Sequence, residues 1–147
     1  MTSDRRHGFT LLELTVVMAI LALAAGILAP RLTDLGPLTL DAAARRLADD
    51  LTLARDRAVL RGQPAHVRLD LDLGRWSDDD AWTALPAGIR FHSVGANGQP
   101  PVGGGSVVIA FDPASDGFPT RVDLADASGY VATVLLPAGA TRARVVR

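Results

Sequence analysis

A run of 21 residues near the N-terminus, Phe9 to Ala29, carries a single charged side chain, that of Glu13. The run is long enough to cross a hydrocarbon core of about 30 Å as an α-helix. Arg5 and Arg6 precede it, and the positive-inside rule therefore places this end of the chain in the cytoplasm. An acid near the centre of a membrane helix costs about 2.5 to 3.5 kcal/mol, and one near an end costs less but is still unfavourable, so Glu13 is predicted to have a function and a partner.

Two ordinary targeting segments would share the length and orientation of this run. A secretory signal peptide would be cleaved near Ala22-Leu23-Ala24, which offers small residues after an apolar stretch. A plain signal anchor would stay uncut. Neither requires the acid at Glu13 or the Gly8-Phe9 junction that opens the run, so a specialised leader over residues 1–8 is favoured.

The remaining residues suit one small domain of near-neutral charge. Roughly 115 residues follow the apolar run, which is enough for a single core. The formal net charge is -1, which argues against a nucleic-acid-binding surface because such a surface needs clustered basic charge. The chain has no cysteine, so disulfides and thiolate chemistry are excluded.

An apolar stripe at helical spacing follows the membrane-length run. Its members recur every three or four residues: Leu40, Ala44, Leu47, Leu51, Ala54 and Ala58. The stripe predicts an amphipathic helix over residues 30–62 that covers its own domain's sheet, although a stripe reserved for partner helices has the same pattern. Gly36-Pro37 predicts a break in this helix, and Gly62 with Pro64 predicts its end.

Helical spacing gives way to alternation from Ala65 onward, which predicts a β domain over residues 63–147. Apolar residues at odd positions from Val67 to Leu73 alternate with charged ones, as in a half-buried strand. Further strands are predicted at Ile89–Val94, Val107–Phe111, Thr120–Ala125, Tyr130–Leu136 and Thr141–Val146. Asp126–Gly129 and Pro137–Gly139 predict tight turns. The expected class is α+β, with a long N-terminal helix packed on an antiparallel sheet or sandwich.

Residue combinations typical of catalysis or metal binding do not stand out in the sequence. His7, His66 and His92 lack the spacing of a zinc site, and no nucleophile elbow surrounds Ser93. Gly95–Gly105 is typical of a flexible loop and not of a phosphate site, because no strand-to-helix transition follows it. The sequence therefore predicts no enzyme activity, no cofactor and no metal.

Residues 76–82 combine two tryptophans with three adjacent carboxylates. Adjacent aspartates point in different directions and usually form a solvated turn, which is the favoured interpretation. A calcium site and a partner contact remain the alternatives. Because tryptophan is enriched at interface hot spots, the candidate partner interface comprises Trp76, Asp78, Asp79, Asp80 and Trp82.

The segment Gly8-Phe9-Thr10-Leu11-Leu12-Glu13, with the apolar run that ends at Ala29-Pro30, resembles the N-terminus of type IV pilins and type II secretion pseudopilins. The resemblance implies that a prepilin peptidase cleaves between Gly8 and Phe9 and that the new amino terminus of Phe9 is methylated. It also implies that Glu13 pairs with the terminal amine of a neighbouring subunit. Two charges that are costly singly in lipid become tolerable as a pair, so this contact would favour assembly.

The C-terminal half resembles the minor pseudopilin H (GspH) subfamily and its minor type IV pilin relatives. The matching features are the strand Val107–Phe111 followed by Asp112-Pro113, the Asp116-Gly117 turn, and a terminal strand ending in Arg144-Val145-Val146. The resemblance implies a structural subunit at or near the tip of the periplasmic pseudopilus of a type II secretion system. Such a subunit performs no chemistry and helps to push folded exoproteins across the outer membrane.

The same resemblance implies a location and a set of partners. The chain would be a single-pass inner-membrane protein, with residues 9–29 as transmembrane and assembly helix and a periplasmic C-terminal domain. Its partners would be other minor and major pseudopilins, the prepilin peptidase, the inner-membrane assembly platform and secreted substrates. A minor type IV pilin that primes pili for motility, adhesion or DNA uptake is one alternative. A membrane-anchored periplasmic enzyme or binding module is an alternative from a different class.

Overall fold

The computed structural model describes residues 11–33, 36–78 and 81–146, and the chain divides into two compact units, Met1–Leu35 and Gly36–Arg147. Helix α1 (Leu11–Thr33) is the described part of the first unit. Among the described residues, no helix combines the length and the hydropathy that a membrane crossing requires. The predicted span over residues 9–29 begins outside the described residues and stays a prediction, as does cleavage between Gly8 and Phe9.

Side chains of α1 are exposed throughout its first half, from Leu11 to Leu23. The large apolar ones in this stretch range from 42% exposed at Val17 to 84% exposed at Leu11. A helix that is apolar on every side normally lies in a membrane or among other helices.

Helix α2 (Gly36–Arg61) opens the second unit and buries one stripe of side chains. Every member of the predicted stripe is at most 4% exposed, so the stripe covers the core of its own domain, as predicted. The helix ends at Gly62, whose φ of 62° suits glycine. The N–H groups of Gly62 and Gln63 donate to the carbonyls of Val59 (3.4 Å) and Ala58 (3.3 Å), which forms a Schellman cap.

Among the described residues, eight short strands complete the second unit. They are β1 (Ala65–Asp70), β2 (Arg75–Ser77), β3 (Trp82–Ala84), β4 (Arg90–Gly95), β5 (Ser106–Phe111), β6 (Thr120–Ala125), β7 (Val131–Leu136) and β8 (Arg144–Val146). They form two antiparallel four-stranded sheets: sheet A in the order β3-β2-β1-β5 and sheet B in the order β4-β6-β7-β8. Helix α2 packs against strands of both sheets. The structure thus confirms the α+β class, with a helix on antiparallel sheets.

A single hydrophobic core joins α2 to the inward faces of both sheets. Strand alternation places every second side chain in this core. The largest side chains that are fully buried are Trp76, Leu47, Leu51, Leu69, Ile109, Leu124, Leu136, Val67, Val94, Val122 and Val134. The alternating pattern seen in the sequence is therefore the pattern of one buried face and one outer face.

The β6–β7 hairpin turns at Asp126–Gly129, as predicted. Asp126 Oδ1 accepts hydrogen bonds from the N–H groups of Ser128 (2.8 Å) and Tyr130 (3.0 Å). Gly129 adopts a φ of 87°, which few other residues tolerate. The aspartate and the glycine together therefore hold the turn that aligns β6 with β7.

The first predicted strand was too long. It ends at Asp70, and Leu71 and Leu73 lie in a turn. Asp70 Oδ1 accepts a hydrogen bond from the N–H of Leu73 (3.0 Å), and Gly74 has a φ of 59°. The Asp70 side chain thus accepts the hydrogen bond that a neighbouring strand would otherwise accept, and the chain reverses here. This local turn ends the strand although the alternating pattern continues to Leu73.

Residues 78–81, for which a solvated turn was predicted, connect two short strands that the sequence did not predict. Strands β2 and β3 pair here as an antiparallel hairpin, with Arg75 opposite Ala84 and Ser77 opposite Trp82. The hairpin extends sheet A beyond β1. Cross-strand hydrogen bonds and the burial of one tryptophan stabilise it, and neither is visible in three-residue strands read alone.

Candidate assembly surfaces

Glu13 lies in the first turn of α1. A carboxylate suits this position because unpaired backbone N–H groups give the first turn of a helix partial positive charge. The neighbouring apolar side chains are exposed, so any surface that covers this turn from outside must also accommodate the acid. Gly8 and Phe9, the proposed cleavage and methylation positions, lie outside the described residues.

The two tryptophans of the β2–β3 hairpin occupy opposite faces of sheet A. Trp76 is 2% exposed, and its Nε1 donates to Asp50 Oδ2 on α2 (2.8 Å). The prediction that both tryptophans offer a contact surface is therefore wrong for Trp76, because its indole fills the core and is bonded there. Trp82 is 43% exposed on the outer face.

The carboxylates of residues 78–80 divide between described and undescribed positions. Asp78 forms an ion pair with Arg57 of α2, which joins the hairpin to the helix. Asp79 and Asp80 lie outside the described residues. Among the residues the structure does describe, no group of three or more histidine, cysteine, aspartate or glutamate side chains could hold a metal ion. The interface residues that the structure places at the surface are Asp78, in part, and Trp82.

A small cavity of about 330 Å³ opens on the outer face of sheet A and is lined by His66, Arg68, Ser77 and Val108. The register explains this grouping, because Arg68 pairs with Ser77 on one side and with Val108 on the other. Sequence reasoning missed the cavity. The alternation within β1 places His66 and Arg68 on one face, but it does not identify the neighbouring strands that bring Ser77 and Val108 beside them.

Asp123 is the centre of a buried polar network on sheet B. Its carboxylate accepts hydrogen bonds from Ser93 Oγ (2.7 Å), Thr133 Oγ1 (2.7 Å) and Arg121 Nε (3.0 Å). Burial opposes ionisation, but the hydrogen bonds from Thr133, Ser93 and Arg121, with the charge of Arg121, outweigh it and hold the pKa of Asp123 below its usual 3.8.

This network also bears on the hydroxyl of Ser93, the one serine weighed as a nucleophile. Its hydrogen bond goes directly to a carboxylate. An activated serine instead needs a base that can take its proton, usually an imidazole. The observed geometry suits a structural role that ties β4, β6 and β7 together.

An apolar N-terminal helix followed by a helix on two antiparallel sheets defines a pilin-like α+β protein. Residues 3–29 match the prokaryotic N-terminal methylation motif, and residues 43–146 match the family described as type II transport protein GspH. The chain belongs to the GspH family, whose members are minor pseudopilins of type II secretion. Searches of curated proteins and of solved structures found no match.

Family membership settles the general role. The GspH family is structural, and it implies interaction with other pseudopilins in a secretion system. The N-terminal motif fits processing of the type IV pilin kind and indicates a membrane-anchored periplasmic protein. Both resemblances drawn from the sequence, at the N-terminus and in the C-terminal half, are thereby confirmed.

Proposed function

We propose that this chain acts at or near the tip of a periplasmic pseudopilus and helps to push folded exoproteins across the outer membrane. The observation that carries the proposal is the match to GspH over residues 43–146 behind an N-terminal methylation motif. The chain works by assembly and performs no chemistry of its own. Its partners are other minor and major pseudopilins, the inner-membrane assembly platform and secreted substrates.

Maturation precedes assembly in this proposal. A prepilin peptidase removes residues 1–8 by cleavage between Gly8 and Phe9, and the amine of Phe9 is methylated. Residues 9–29 hold the protein in the inner membrane as a single span, with the second unit in the periplasm. Glu13 then pairs with the Phe9-equivalent amine of a neighbouring subunit, which relieves the cost of two isolated charges in lipid.

Trp82 and the acidic residues that precede it in sequence form a proposed partner contact. Trp82 is the exposed anchor, and the acidic residues Asp78, Asp79 and Asp80 lie two to four positions before it in sequence. Trp76 supports this contact only from within the core. Large aromatic side chains supply most of the binding energy in many interfaces, so Trp82 is the residue of this segment on which binding should depend most.

The test is a clean deletion of the gene in its own host, complemented by the wild-type gene. Extracellular enzyme activity and twitching motility are scored in parallel. We expect secretion to be lost with motility intact, and the wild-type gene to restore it. Lost motility with secretion intact would instead identify a minor type IV pilin. Loss of neither would contradict the proposal and direct attention to another filament system, such as DNA uptake.

A further inference from the structure

The outer face of sheet A is the side turned away from the core and from α2. Its side chains come from alternate positions of all four strands: Trp82, Ala84, Arg75, Ser77, His66, Arg68, Asp70, Ser106, Val108 and Ala110. The face mixes basic and polar residues with one acidic, one aromatic and three small apolar residues. Four of the ten side chains, those of Trp82, Ala84, Val108 and Ala110, are apolar or aromatic, so the face combines apolar and polar contacts as protein interfaces do.

Arginine side chains on this face differ in what they contact. Arg75 is bonded to Asp70, whose Oδ2 lies 3.2 Å from both Nε and Nη2 of the guanidinium. Arg68 is exposed in the cavity shared with Ser77 and Val108, and no hydrogen bond or ion pair to its side chain occurs among the described residues. The face therefore carries one positive charge, that of Arg68, with which no described residue forms an ion pair.

A guanidinium in a polar cavity is suited to one ligand chemistry in particular. Its planar fork of donors matches a carboxylate with two parallel hydrogen bonds. Ser77 and His66, on the cavity wall, offer further hydrogen-bonding groups. The cavity is small, at about 330 Å³, which suits a single side chain better than a cofactor.

Apolar anchors flank the cavity on both sides. Trp82 lies directly across from Ser77, and Val108 lies directly across from Arg68. Each is 43% exposed. The guanidinium of Arg75 lies 4.3 Å from the centre of the Trp82 ring, and this cation–π contact restrains the ring in the unbound protein. An aromatic side chain that is already restrained loses little conformational entropy on binding.

We propose that the outer face of sheet A docks an acidic segment of a neighbouring pseudopilin subunit. A carboxylate of that segment enters the cavity and pairs with Arg68, and an adjacent apolar side chain packs on Trp82. Charge complementarity around Arg68 and the exposed apolar side chains of Trp82 and Val108 favour this partner. The inference rests on the proposed function, because only an assembling subunit meets such a neighbour.

The test is site-specific photo-crosslinking in the native host with the whole secretion system present. A photoreactive phenylalanine analogue replaces Ala110, an exposed residue of the outer face, in the full-length chain. The same analogue at Ala138, in the exposed β7–β8 turn, is the position control. We expect an adduct from position 110 with an acidic peptide of another pseudopilin, identified by mass spectrometry, and no such adduct from position 138.

Charge reversal tests the role of Arg68 directly. We expect Arg68→Glu to lower the adduct yield about fivefold or more, the loss typical of an interface residue that contributes substantially to binding. Arg90→Glu is the matched control, since Arg90 is an exposed arginine on a strand of sheet B and should leave the yield unchanged. If Arg68→Glu reduces protein abundance, Arg68→Gln serves in its place. Replacement of the paired acidic residue of the partner by arginine should restore the adduct yield of the Arg68→Glu variant.

Failure of the inference can be separated from failure of the proposed function. If wild-type protein restores secretion but the Arg68→Glu adduct is undiminished, the docking proposal is wrong and the function stands. An adduct only with a second copy of this chain or with a secreted protein would also overturn it. If deletion of the gene leaves secretion intact, the proposed function itself fails.

Discussion

Asp50 shows how one polar residue on α2 allows a tryptophan to enter the core. The indole of Trp76 buries a large apolar surface, but its N–H must find an acceptor. Asp50 Oδ2 supplies that acceptor at 2.8 Å. The side of α2 that carries this acid therefore faces sheet A, although the acid belongs to the charged residues of the helix.

Loss of this acceptor should destabilise the second unit. We expect Asp50→Ala to lower the free energy of unfolding by about 1–3 kcal/mol, because the buried indole N–H is left without a partner. Urea unfolding of the detergent-solubilised full-length protein, followed by circular dichroism, measures the change. Asp50→Asn keeps an acceptor oxygen and should cost clearly less. Equal losses in the two variants would show that the hydrogen bond is unimportant.

Asp123 makes the stability of the fold depend on pH. Because the pKa of Asp123 is lower in the folded chain than its usual 3.8, the ionised form stabilises the fold. This contribution is fully present above about pH 4 and is lost as the pH falls through the lowered folded pKa. Replacement by a neutral amide removes the contribution at every pH.

We expect Asp123→Asn to lower the free energy of unfolding at pH 7 by about 1–3 kcal/mol, since the donors of Ser93, Thr133 and Arg121 lose their charged acceptor. The difference from wild type should shrink below pH 4. Urea unfolding at pH 7 and at pH 3 checks both statements. Asp116→Asn, at an exposed aspartate, should have little effect at either pH. A deficit of the same size at pH 3 would refute the linkage.

At the scale of elements, the side chain of Asn97 covers part of the open edge of β5 and so limits its pairing with strands of other chains. Its side-chain amide donates to the carbonyl of Val108 (2.6 Å) and accepts from the N–H of Ala110 (3.4 Å). Asn97 has a φ of 54°, a conformation that asparagine tolerates better than most residues. The Asn97 amide thus satisfies the backbone carbonyl of Val108 and the N–H of Ala110, which would otherwise be free to pair with another strand.

Thr52 joins two elements that are distant in sequence. Its hydroxyl donates to the carbonyl of Ala48 (2.8 Å) and accepts from the N–H of Ala143 (3.1 Å), just before β8. Strand β8 has only three residues and a single neighbour in sheet B, β7. The contact with α2 therefore supplies part of what keeps this terminal strand in place.

Thr52→Val, which preserves the shape of the side chain, should increase local opening of β8 more than it lowers the stability of the whole second unit. The N–H of Ala143 loses its acceptor, and we expect faster amide hydrogen exchange over residues 143–146 with a global loss of about 1–2 kcal/mol. Hydrogen-exchange mass spectrometry measures both. Thr15→Val is the matched control, because Thr15 makes the same bond within its helix, to Leu11 at 2.7 Å, and no tertiary one is observed. Unchanged exchange over β8 would argue against the tether.

At the scale of the whole molecule, the two units differ in how they reach stability. The second unit contains its own core and needs no disulfide, since the chain has no cysteine. Helix α1 exposes apolar side chains from Leu11 to Leu23. In the proposed function, lipid or neighbouring subunits cover these side chains, and maturation and assembly act on the first unit.

The proposed maturation gives the mature protein a defined mass. We expect the membrane-extracted protein to have the intact mass of a chain that starts at Phe9 and carries one methyl group. Expression without a prepilin peptidase is the control and should yield a chain that retains residues 1–8. A mature chain that begins at Met1 or at Ala25 would contradict the proposed processing.

Assembly should depend on the charge of Glu13. Glu13→Gln removes the partner of a terminal amine in lipid, so we expect incorporation into the pseudopilus to fall about tenfold or more while processing is normal. Immunoblots of sheared pseudopili, with cell extracts for processing, measure both. Glu13→Asp keeps the charge and should retain more incorporation. Wild-type incorporation of processed Glu13→Gln would exclude this role.

The sequence by itself determined the features that depend on local periodicity or on a contiguous motif. The stripe of α2, most of the longer strands and the turn at Asp126–Gly129 followed from spacing and turn chemistry, and the family followed from the segment around Gly8–Glu13 and the pattern after Val107. A period of 3.6 or 2 is repeated enough times in such elements to be recognised. The class of the protein was therefore predictable.

Only the tertiary structure decided which side chains meet across strands. Trp76 and Trp82 look alike in sequence, yet one fills the core and the other lies on the outer face. Strands β2 and β3 have three residues each, too few to reveal a period. The cavity around Arg68 and the network of Asp123 depend on register between strands separated by up to some forty residues of sequence, and register is set by packing and hydrogen bonding, not by local pattern.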